Sequence, residues 1–491
     1  MLKRVSPESV GISSKAVLKF LGTLENHNLC THSIMLVRGN NVFCEKYYAP
    51  FDADFKHRMY SVSKSFVSVA IGLLIEDGKL SLDDQFISFF PEYTKGMDDP
   101  RFEEMTIRDA LCMSTCTPAM PDWFGSGTTD RTEVYFRGGS TMIPGTRFLY
   151  DSSASYMLGV IVENITGKPF LKFLQERFLD AIGFSKDAYC LQCPGGHSFS
   201  DSGVMCTTRD LWRFARFVMN GGTWDGVRYM NADYLREATA YQVANNHCDV
   251  DHYGGYGYGY QIWKAPRDGF AFIGMGDQFA ICDPQTDTIL VINSDNQGNP
   301  YSRTVLYQAL YDLVIDEMGE ALAEDVAAYK ALCAHESGDV LHFLNFRLES
   351  PFAKELAGRT YRFEGENPMG LRWFRFEIKQ DEGVLYYENA RGTKELAFGF
   401  GHNVFQKFPE EGYSDMVATV GEPGHMYDCA NSAEWLEDRK LHIEVQVIDK
   451  YFGKCNMVFS FKDDRVTVIM QKAAEAFLDG YQGTALGVWD K

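Results

Sequence analysis

The sequence predicts an α+β protein built from two domains. In the first part of the chain, patterns typical of helices and of strands occur together, and a long apolar helix follows residue 60. After about residue 350 the apolar residues recur with a period of two, which is typical of half-buried antiparallel strands. A chain of 491 residues is too long for one ordinary core. We therefore expect one domain over 1–340 and a mainly β domain over 341–491, with the boundary between 335 and 350.

The predicted elements of the first domain begin with a hairpin and a buried helix. Two β-rich runs in Ser33–Tyr48 flank the turn signal Gly39–Asn41. In the helix that follows, apolar side chains cover most of the circumference, which predicts burial on nearly all sides. These residues are Phe66, Val67, Ala70, Ile71, Leu73 and Leu74. Asp77 and Gly78 provide the stop, because glycine readily adopts the left-handed conformation after the last turn.

Further helices and strands complete the first domain. Residues 91–150 are rich in Pro, Gly, Thr and Asp, which predicts loops with short helices. The later predicted elements are helices over Ser155–Lys168 and Arg209–Gly222, strands over Gly255–Trp263, Ala271–Asp283 and Thr288–Asp295, and a helix over Arg303–Met318. In the second domain, Trp373–Lys379 and Leu441–Val447 alternate apolar and polar residues, which predicts antiparallel strands.

Composition and charge limit the partners of this chain. Its 45% of hydrophobic residues is ordinary for a globular protein. The net charge of −20 would repel nucleic acid and anionic membranes, so we expect neither as a partner. Without an apolar leader or a stretch approaching the roughly 18 apolar residues of a membrane span, the sequence predicts a cytoplasmic protein. We expect its twelve irregularly spaced cysteines to be reduced thiols.

The segment that opens the apolar helix contains Ser61 and Lys64, a serine followed three residues later by a lysine. On a helix this spacing brings the two side chains onto one face. A serine hydroxyl is a weak nucleophile until a base takes its proton, and a desolvated lysine can be that base. Such a pair also arises by chance at helix ends. The spacing alone therefore leaves catalytic and structural interpretations open.

Several longer segments resemble the serine β-lactamase-like hydrolases, and they occur in the order typical of that family. The segment Tyr60–Asp84 resembles its nucleophile region, Met105–Cys116 its next landmark, and Pro144–Lys168 its second catalytic region. The segment Ser202–Gly222 resembles a further structural landmark. This family includes class C β-lactamases, D-alanyl-D-alanine carboxypeptidases, esterases and 6-aminohexanoate-dimer hydrolases. The resemblance covers about residues 5–315 and implies an antiparallel sheet flanked by helices, with an all-helical subregion.

The resemblance also implies a set of catalytic residues. Ser61 corresponds to the nucleophile and Lys64 to its base. Tyr150 corresponds to the tyrosine that relays a proton to the leaving group, in the family motif Tyr-x-Asn or Tyr-x-Ser. Ser152 corresponds to the third position of that motif and is expected to position Lys64 or the substrate. Taken alone, Tyr150 would equally suit a core aromatic residue.

The third motif departs from the lactamase pattern. This chain lacks Lys-Thr-Gly, and the corresponding strand is similar to the Ala-x-Gly-x-x-Gly-Gln pattern of the 6-aminohexanoate-dimer hydrolase and esterase branch. Phe272 and Asp277 replace residues usual in that pattern, and His252–Gly254 is an alternative His-x-Gly that is out of order. We expect the oxyanion hole to consist of the N–H groups of Ser61 and Met275. Gly274 and Gly276 would allow the substrate and backbone to approach closely there.

Other residue patterns carry weaker functional signals. Cys190, Cys193 and His197 have the types of a zinc site, but one C-x-x-C without a second pair favours reduced loop thiols, so we expect no metal. The aromatic residues Trp123, Tyr258 and Trp263 are candidates for substrate contact, with structural roles as the alternative. No cofactor is required by the implied chemistry.

The sequence therefore predicts a serine hydrolase that forms an acyl-enzyme on Ser61 and cleaves a small-molecule ester or unstrained amide. A β-lactamase or D-Ala carboxypeptidase is an alternative, although the absent Lys-Thr-Gly argues against it. An acyltransferase using the same acyl-enzyme, or a non-catalytic binding protein on this fold, are further alternatives. The second domain resembles the lipocalin-like appendage of some family members and is expected to be accessory. Homo-oligomerisation is left open.

Overall fold

The computed structural model describes residues 2–118, 128–247, 255–417 and 424–491. The chain forms two compact units, Met1–Val340 and Leu341–Lys491. The first unit combines helices with strands, and the second consists almost entirely of strands. This confirms the α+β class predicted from the sequence. Within the described ranges, no helix is both long enough and apolar enough to cross a membrane.

The first unit contains the following elements in chain order. Its helices are α1 (Ser14–Asn26), α2 (Ser63–Glu76), α3 (Pro91–Thr94), α4 (Pro100–Glu104), α5 (Ile107–Leu111), α6 (Arg131–Arg137), α7 (Ser152–Thr166), α8 (Phe170–Leu174), α9 (Thr208–Met219), α10 (Ala232–Thr239), α11 (Ser302–Leu310) and α12 (Val326–Gly338). Its strands are β1 (Lys3–Arg4), β2 (Thr31–Arg38), β3 (Asn41–Tyr47), β4 (His57–Arg58), β5 (Tyr189–Cys190), β6 (Val204–Cys206), β7 (Thr223–Trp224), β8 (Val227–Arg228), β9 (Trp263–Lys264), β10 (Phe270–Gly274), β11 (Gln278–Asp283) and β12 (Thr288–Ser294). Short 3-10 turns lie at Pro7–Val10, Tyr60–Val62, Phe86–Phe89 and Pro266–Asp268, and π-helical turns at Gln175–Leu179 and Tyr311–Ile315.

The main sheet of this unit has the strand order β1-β3-β2-β12-β11-β10-β9. All neighbours are antiparallel except β1, which is parallel to β3. Successive residues of a strand point to opposite faces. On β10, Ala271 and Ile273 join the core formed with α1 and α11. Phe272 instead lies 5.3 Å from the ring of Phe214 on α9. Helices therefore cover both faces of the sheet.

A helical subregion is built around α2. Every residue from Ser63 to Leu74 is buried, and α2 contacts α7, α8 and α10. The approach of α10 depends on Gly72, because a Cβ there would lie 2.2 Å from Met230 Cε and 2.4 Å from Tyr234 Cε1. Because other helices surround α2, its sequence has no polar face.

The second unit contains α13 (Ala353–Leu356), a 3-10 turn at Ala476–Tyr481 and one large sheet. Its strands are β13 (Thr360–Phe363), β14 (Trp373–Lys379), β15 (Glu382–Asn389), β16 (Gly392–Phe400), β17 (Val404–Glu411), β18 (Met426–Glu437), β19 (Lys440–Ile448), β20 (Phe452–Lys462), β21 (Arg465–Ala473) and β22 (Gly483–Trp489). The strand order is β16-β15-β14-β13-β22-β21-β20-β19-β18-β17. Strand β16 also pairs with β18, which closes the sheet into a barrel. The predicted mainly antiparallel β unit is confirmed.

Most predicted elements are present, and one is corrected. The hairpin, the apolar helix and the strands near 271–283 and 288–295 are found as β2–β3, α2, β10–β11 and β12. The strand predicted over Gly255–Trp263 is wrong, because only Trp263 belongs to a strand, at the start of β9. The preceding segment folds back on itself instead. Tyr258 forms isolated bridges with Val243 and with Trp263.

Candidate active site

Ser61 lies in the 3-10 turn Tyr60–Val62, immediately before α2. The residue in front of it, Tyr60, has φ +46° and is 1% exposed. A non-glycine residue in the left-handed region is held there by its surroundings, and such strain is frequent at functional sites. The Arg58 guanidinium carbon lies 4.2 Å from the centre of the Tyr60 ring. The turn thus fixes the backbone on the N-terminal side of Ser61 while leaving Ser61 itself partly exposed.

The side-chain nitrogen of Lys64 contacts both Ser61 and a loop that is distant in sequence. Lys64 Nζ lies 2.9 Å from Ser61 Oγ and 2.9 Å from the backbone oxygen of Asp201. The Lys64 side chain is 1% exposed. Two fixed acceptors hold the amine against the hydroxyl, in a setting where water competes little. This is the nucleophile–base contact that proton abstraction from a serine needs.

Tyr150 stands beside this pair. Lys64 Nζ is 5.2 Å from the centre of the Tyr150 ring. The ring stacks on Trp263, with centroids 5.5 Å apart and an interplanar angle of 28°. Trp263 itself is 8% exposed and contacts Tyr258 and Phe148 edge-on. The orientation of Tyr150 is therefore set by a buried aromatic cluster.

The next two residues begin helix α7. Asp151 is its N-cap, accepting hydrogen bonds from Ser153 N at 2.8 Å and from Thr117 Oγ1 at 3.1 Å. Burial raises the pKa of this carboxyl group, and those hydrogen bonds oppose the rise. Ser152 is the first residue of α7 and half-buried. Its hydroxyl makes no hydrogen bond to any part of the chain that the structure describes, so its expected role in positioning Lys64 stays a prediction.

Strand β10 runs beside the segment that leads to Ser61. A Cβ on Gly274, its last residue, would lie 2.4 Å from the carbonyl oxygen of Met59. Only glycine permits this approach without displacement of one of the two backbones. Beyond it, Met275 is 45% exposed and Gly276 has φ +78°. The edge of β10 therefore places the Met275 loop next to the turn that carries Ser61.

A buried glutamine fixes the Met275 loop. Gln278 Nε2 donates to the carbonyl oxygens of Met275 at 3.0 Å and Ser294 at 2.6 Å, and its Oε1 accepts from Ser294 N at 3.1 Å. Asp277, with φ +69°, completes the turn. A defined turn geometry is what a backbone N–H donor for an oxyanion requires.

Several sequence candidates lie outside this cluster. Trp123 and His252–Gly254 fall outside the described residues. Tyr258 is fully buried in the aromatic core, which favours its structural role over substrate contact. Cys193 Sγ accepts from an Arg131 guanidinium N–H at 2.8 Å, and His197 Nδ1 lies 2.8 Å from Glu163 Oε2. These two residues thus have protein partners in the positions where a metal would be bound.

One other group has the spacing of metal ligands. Among the residues described, only Glu25, His335 and Asp339 bring such atoms within 4.8 Å of one another. The ammonium of Lys46 lies 3.7 Å from Glu25 Oε1 and contacts the carboxylate of Asp339. The Lys46 ammonium therefore already pairs with both carboxylates of this group.

Two buried polar residues near the site were not predicted. Asp201 is 2% exposed and contacts Lys64, which lies 137 positions earlier in the chain. Gln261 is 1% exposed, accepts from Ser155 Oγ at 2.6 Å and donates to the Ala110 carbonyl at 2.9 Å, which ties α7 to α5. Neither lies in a local pattern, so only the tertiary fold reveals them.

Much of this chain is similar in sequence to known proteins. The model of the Beta-lactamase family matches residues 23–313. The 6-aminohexanoate-dimer hydrolase of Paenarthrobacter ureafaciens is 25% identical over 285 residues, which cover 53% of this chain and 72% of that protein. Protein flp of Staphylococcus aureus is 24% identical over 171 residues, which cover 32% of this chain and 34% of that protein.

A solved structure extends the likeness to the fold. A penicillin-binding protein homologue from Caulobacter crescentus matches with a TM-score of 0.52 at 17% identity, covering 63% of this chain and 99% of its own. The β-lactamase-like fold expected for the first unit is thereby confirmed. Since the family match also spans more than half of the sequence, the chain belongs to the Beta-lactamase family of hydrolases.

Proposed function

We propose that this protein is a serine hydrolase that forms an acyl-enzyme on Ser61 and cleaves an ester or an unstrained amide of a small molecule. The observation that carries the proposal is the 2.9 Å contact between Lys64 Nζ and Ser61 Oγ. Lys64 is almost completely buried, so its amine can act on the hydroxyl without competition from bulk water.

The reaction would proceed in two halves. As Ser61 Oγ attacks the carbonyl carbon, its proton passes to Lys64 Nζ, and the carbonyl oxygen becomes an oxyanion. The N–H groups of Ser61 and Met275 would stabilise this negative charge. Tyr150 would relay the proton to the leaving alcohol or amine as the bond to the acyl carbon breaks. Water then attacks the acyl-enzyme through the same groups, which releases the acid and restores the Ser61 hydroxyl.

The choice of an ester or unstrained amide rests on the third motif. The end of β10 and the loop after it offer Gly274, Met275 and Gly276 where many lactamases and carboxypeptidases carry Lys-Thr-Gly. A basic residue there would pair with a substrate carboxylate, and none is present in this motif. The relative from Paenarthrobacter ureafaciens is named for hydrolysis of a 6-aminohexanoate dimer, which supports an unstrained amide. The chemistry equally allows transfer of the acyl group to an alcohol or amine.

Covalent labelling tests the nucleophile without knowledge of the substrate. Wild type and Ser61→Ala would be treated with a fluorophosphonate and analysed by intact-mass spectrometry and peptide mapping. We expect a single adduct on wild type, at Ser61, and none on the variant. An adduct that persists in folded Ser61→Ala, or no adduct on folded wild type, would overturn the proposal.

A substrate screen then separates the reaction classes. Short-chain acyl esters, linear amides and a chromogenic cephalosporin would be compared at equal concentration. We expect turnover of esters or linear amides that is lost in Ser61→Ala. Rapid turnover of the cephalosporin alone would instead favour a β-lactamase.

A further inference from the structure

A buried carboxylate faces the amine that contacts the proposed nucleophile. Asp201 Oδ2 lies 4.0 Å from Lys64 Nζ, and both side chains are no more than 3% exposed. This contact is separate from the hydrogen bond that Lys64 makes to the Asp201 backbone oxygen. The other carboxylate oxygen, Oδ1, is buried and accepts no hydrogen bond within the described part of the chain. The Asp201 side chain is therefore held by charge more than by hydrogen bonds.

Three cations from three different elements attract the negative charge of this carboxylate. They are Lys64 on α2, Arg131 on α6 and Arg58 on β4. Arg131 and Arg58 are 3% and 4% exposed, and arginine keeps its charge at all ordinary pH values. A negative charge on Asp201, whose Oδ2 lies 4.0 Å from Lys64 Nζ, favours the protonated form of the Lys64 amine. Burial raises the pKa of the Asp201 carboxyl group, and Lys64 opposes that rise.

The other titratable groups described near Asp201 and Lys64 do not supply a second counter-ion for the Lys64 amine. Burial raises the pKa values of the Cys190 and Cys193 thiols, and the negative charge of Asp201 raises them further. Both thiols therefore stay neutral near pH 7. Tyr150 presents its ring to Lys64. Among the described groups around the Lys64 amine, Asp201 is thus the carboxylate that can balance an ammonium ion.

We infer that Asp201 is a positioning residue whose carboxylate serves as the counter-ion of Lys64 and sets the pH range in which Lys64 accepts the proton of Ser61. This inference rests on the proposed function. Without the carboxylate, the Lys64 amine would lose the opposite charge that favours its protonated form, so we expect Ser61 to be activated at lower pH. The amine would still be held in place, because the backbone oxygen of residue 201 remains its acceptor.

The pH dependence of Ser61 labelling tests this role. The rate of fluorophosphonate labelling would be measured from pH 5 to 10 in wild type and Asp201→Asn. The acidic limb of the profile reports the loss of a proton from Lys64. We expect this limb to move to lower pH in Asp201→Asn, by about one to three units, as is typical for removal of an opposite charge at 4–6 Å. A labelled variant whose limb coincides with that of wild type would overturn the inference.

A second variant of opposite sign covers the case in which Asp201→Asn does not fold. Arg131→Met removes one cation that competes for Asp201, so we expect its limb to move to higher pH. A shift to lower pH, or none, would contradict the inference.

Asp187→Asn is the matched control, because Asp187 is a 73% exposed partner of Lys56. We expect the acidic limb of this variant to coincide with that of wild type. A shift as large as that of Asp201→Asn would overturn the assignment. If folded wild type is not labelled at Ser61 at any pH, the proposed function fails, whereas labelling with an unmoved limb removes only the role of Asp201.

Discussion

Lys64 Nζ and Ser61 Oγ lie 2.9 Å apart at the start of a helix that is buried on nearly all sides. This contact depends on the local spacing of the two residues and on a third residue that is distant in sequence. The spacing of three residues puts both side chains on one face, and the Asp201 carbonyl holds the amine at that face. A substitution at Lys64 is therefore expected to affect both chemistry and packing.

Replacement of Lys64 by methionine should remove the base and keep most of the side-chain volume. We expect the rate of fluorophosphonate labelling of Ser61 at pH 7.5 to fall by about 10²–10⁴, the usual contribution of general base catalysis. The variant also removes one of the three cations that stabilise the buried Asp201 carboxylate, so the thermal unfolding midpoint should fall by several degrees. Lys56→Met is the control, because Lys56 pairs with exposed Asp187 and should not alter labelling. Labelling of folded Lys64→Met at the wild-type rate would exclude Lys64 as the base.

A methyl group at Gly274 should disturb the site through the backbone. Its Cβ would lie 2.4 Å from the Met59 carbonyl oxygen, so β10 or the turn before Ser61 must move. If the Met275 N–H is an oxyanion donor, displacement should lower the labelling rate by about 10²-fold or more. The measurement is the labelling rate of Gly274→Ala together with its circular dichroism spectrum.

Gly22→Ala is the matched control for that substitution. Gly22 lies within α1, and a Cβ there would have no neighbour within 4 Å. We expect normal labelling and a stabilisation of about 0.5–1 kcal/mol, because alanine favours a helix interior over glycine. An unaltered labelling rate in Gly274→Ala would show that the close approach of β10 does not matter for the nucleophile.

The sequence predicted those parts of the site that depend on local spacing. Ser61, Lys64 and the apolar helix belong to one continuous segment, and the hairpin β2–β3 follows from a turn signal between two β-rich runs. The left-handed φ of Tyr60 was not predictable, because tyrosine has no preference for that region and its surroundings impose it. Asp201 was not predictable either, since its contact with Lys64 joins segments that meet only in the tertiary structure.

The segment 255–263 shows how a local pattern can mislead. Its alternation of glycine and tyrosine predicts a strand, yet Gly257 has φ +112° and Gln261 has φ +58°. A Cβ on Gly259 would lie 2.1 Å from the Ala238 carbonyl oxygen. The glycines therefore serve tight bends and a close backbone contact and not an extended strand.

Trp263 should act on the reaction through Tyr150. Their rings stack with centroids 5.5 Å apart, so loss of the indole would free the orientation of the phenol. We expect Trp263→Leu to lower the rate of Ser61 labelling by about tenfold. In a double-mutant cycle, the same substitution in the Tyr150→Phe background should have little further effect, because residues that act through one another are not additive. Additive losses in the cycle would mean that Trp263 affects the site by a route other than Tyr150.

A buried histidine pair should make the stability of the protein fall in mild acid. His32 Nδ1 lies 2.7 Å from His57 Nε2, and His57 Nδ1 lies 3.0 Å from the Arg58 carbonyl oxygen. Burial lowers the pKa of His57 to about 3, with the backbone hydrogen bond of Arg58 opposing the shift. His57 is thus neutral in the folded state, whereas in the unfolded chain it binds a proton near its ordinary pKa of about 6.5. Its contribution to stability is therefore complete above pH 6.5 and is lost progressively as the pH falls towards 3.

The expected slope is about 1.4 kcal/mol per pH unit within that window, the value for one proton taken up on unfolding. Urea unfolding of wild type and His57→Asn at pH 7.5, 6.5, 5.5 and 5.0 would measure it. We expect His57→Asn to be less stable than wild type at pH 7.5, because His32 loses a partner, and the difference to shrink by about 2 kcal/mol by pH 5.0. His402→Asn, at a half-exposed position, should leave the slope unchanged. Parallel curves for wild type and His57→Asn would show that His57 takes up no extra proton on unfolding.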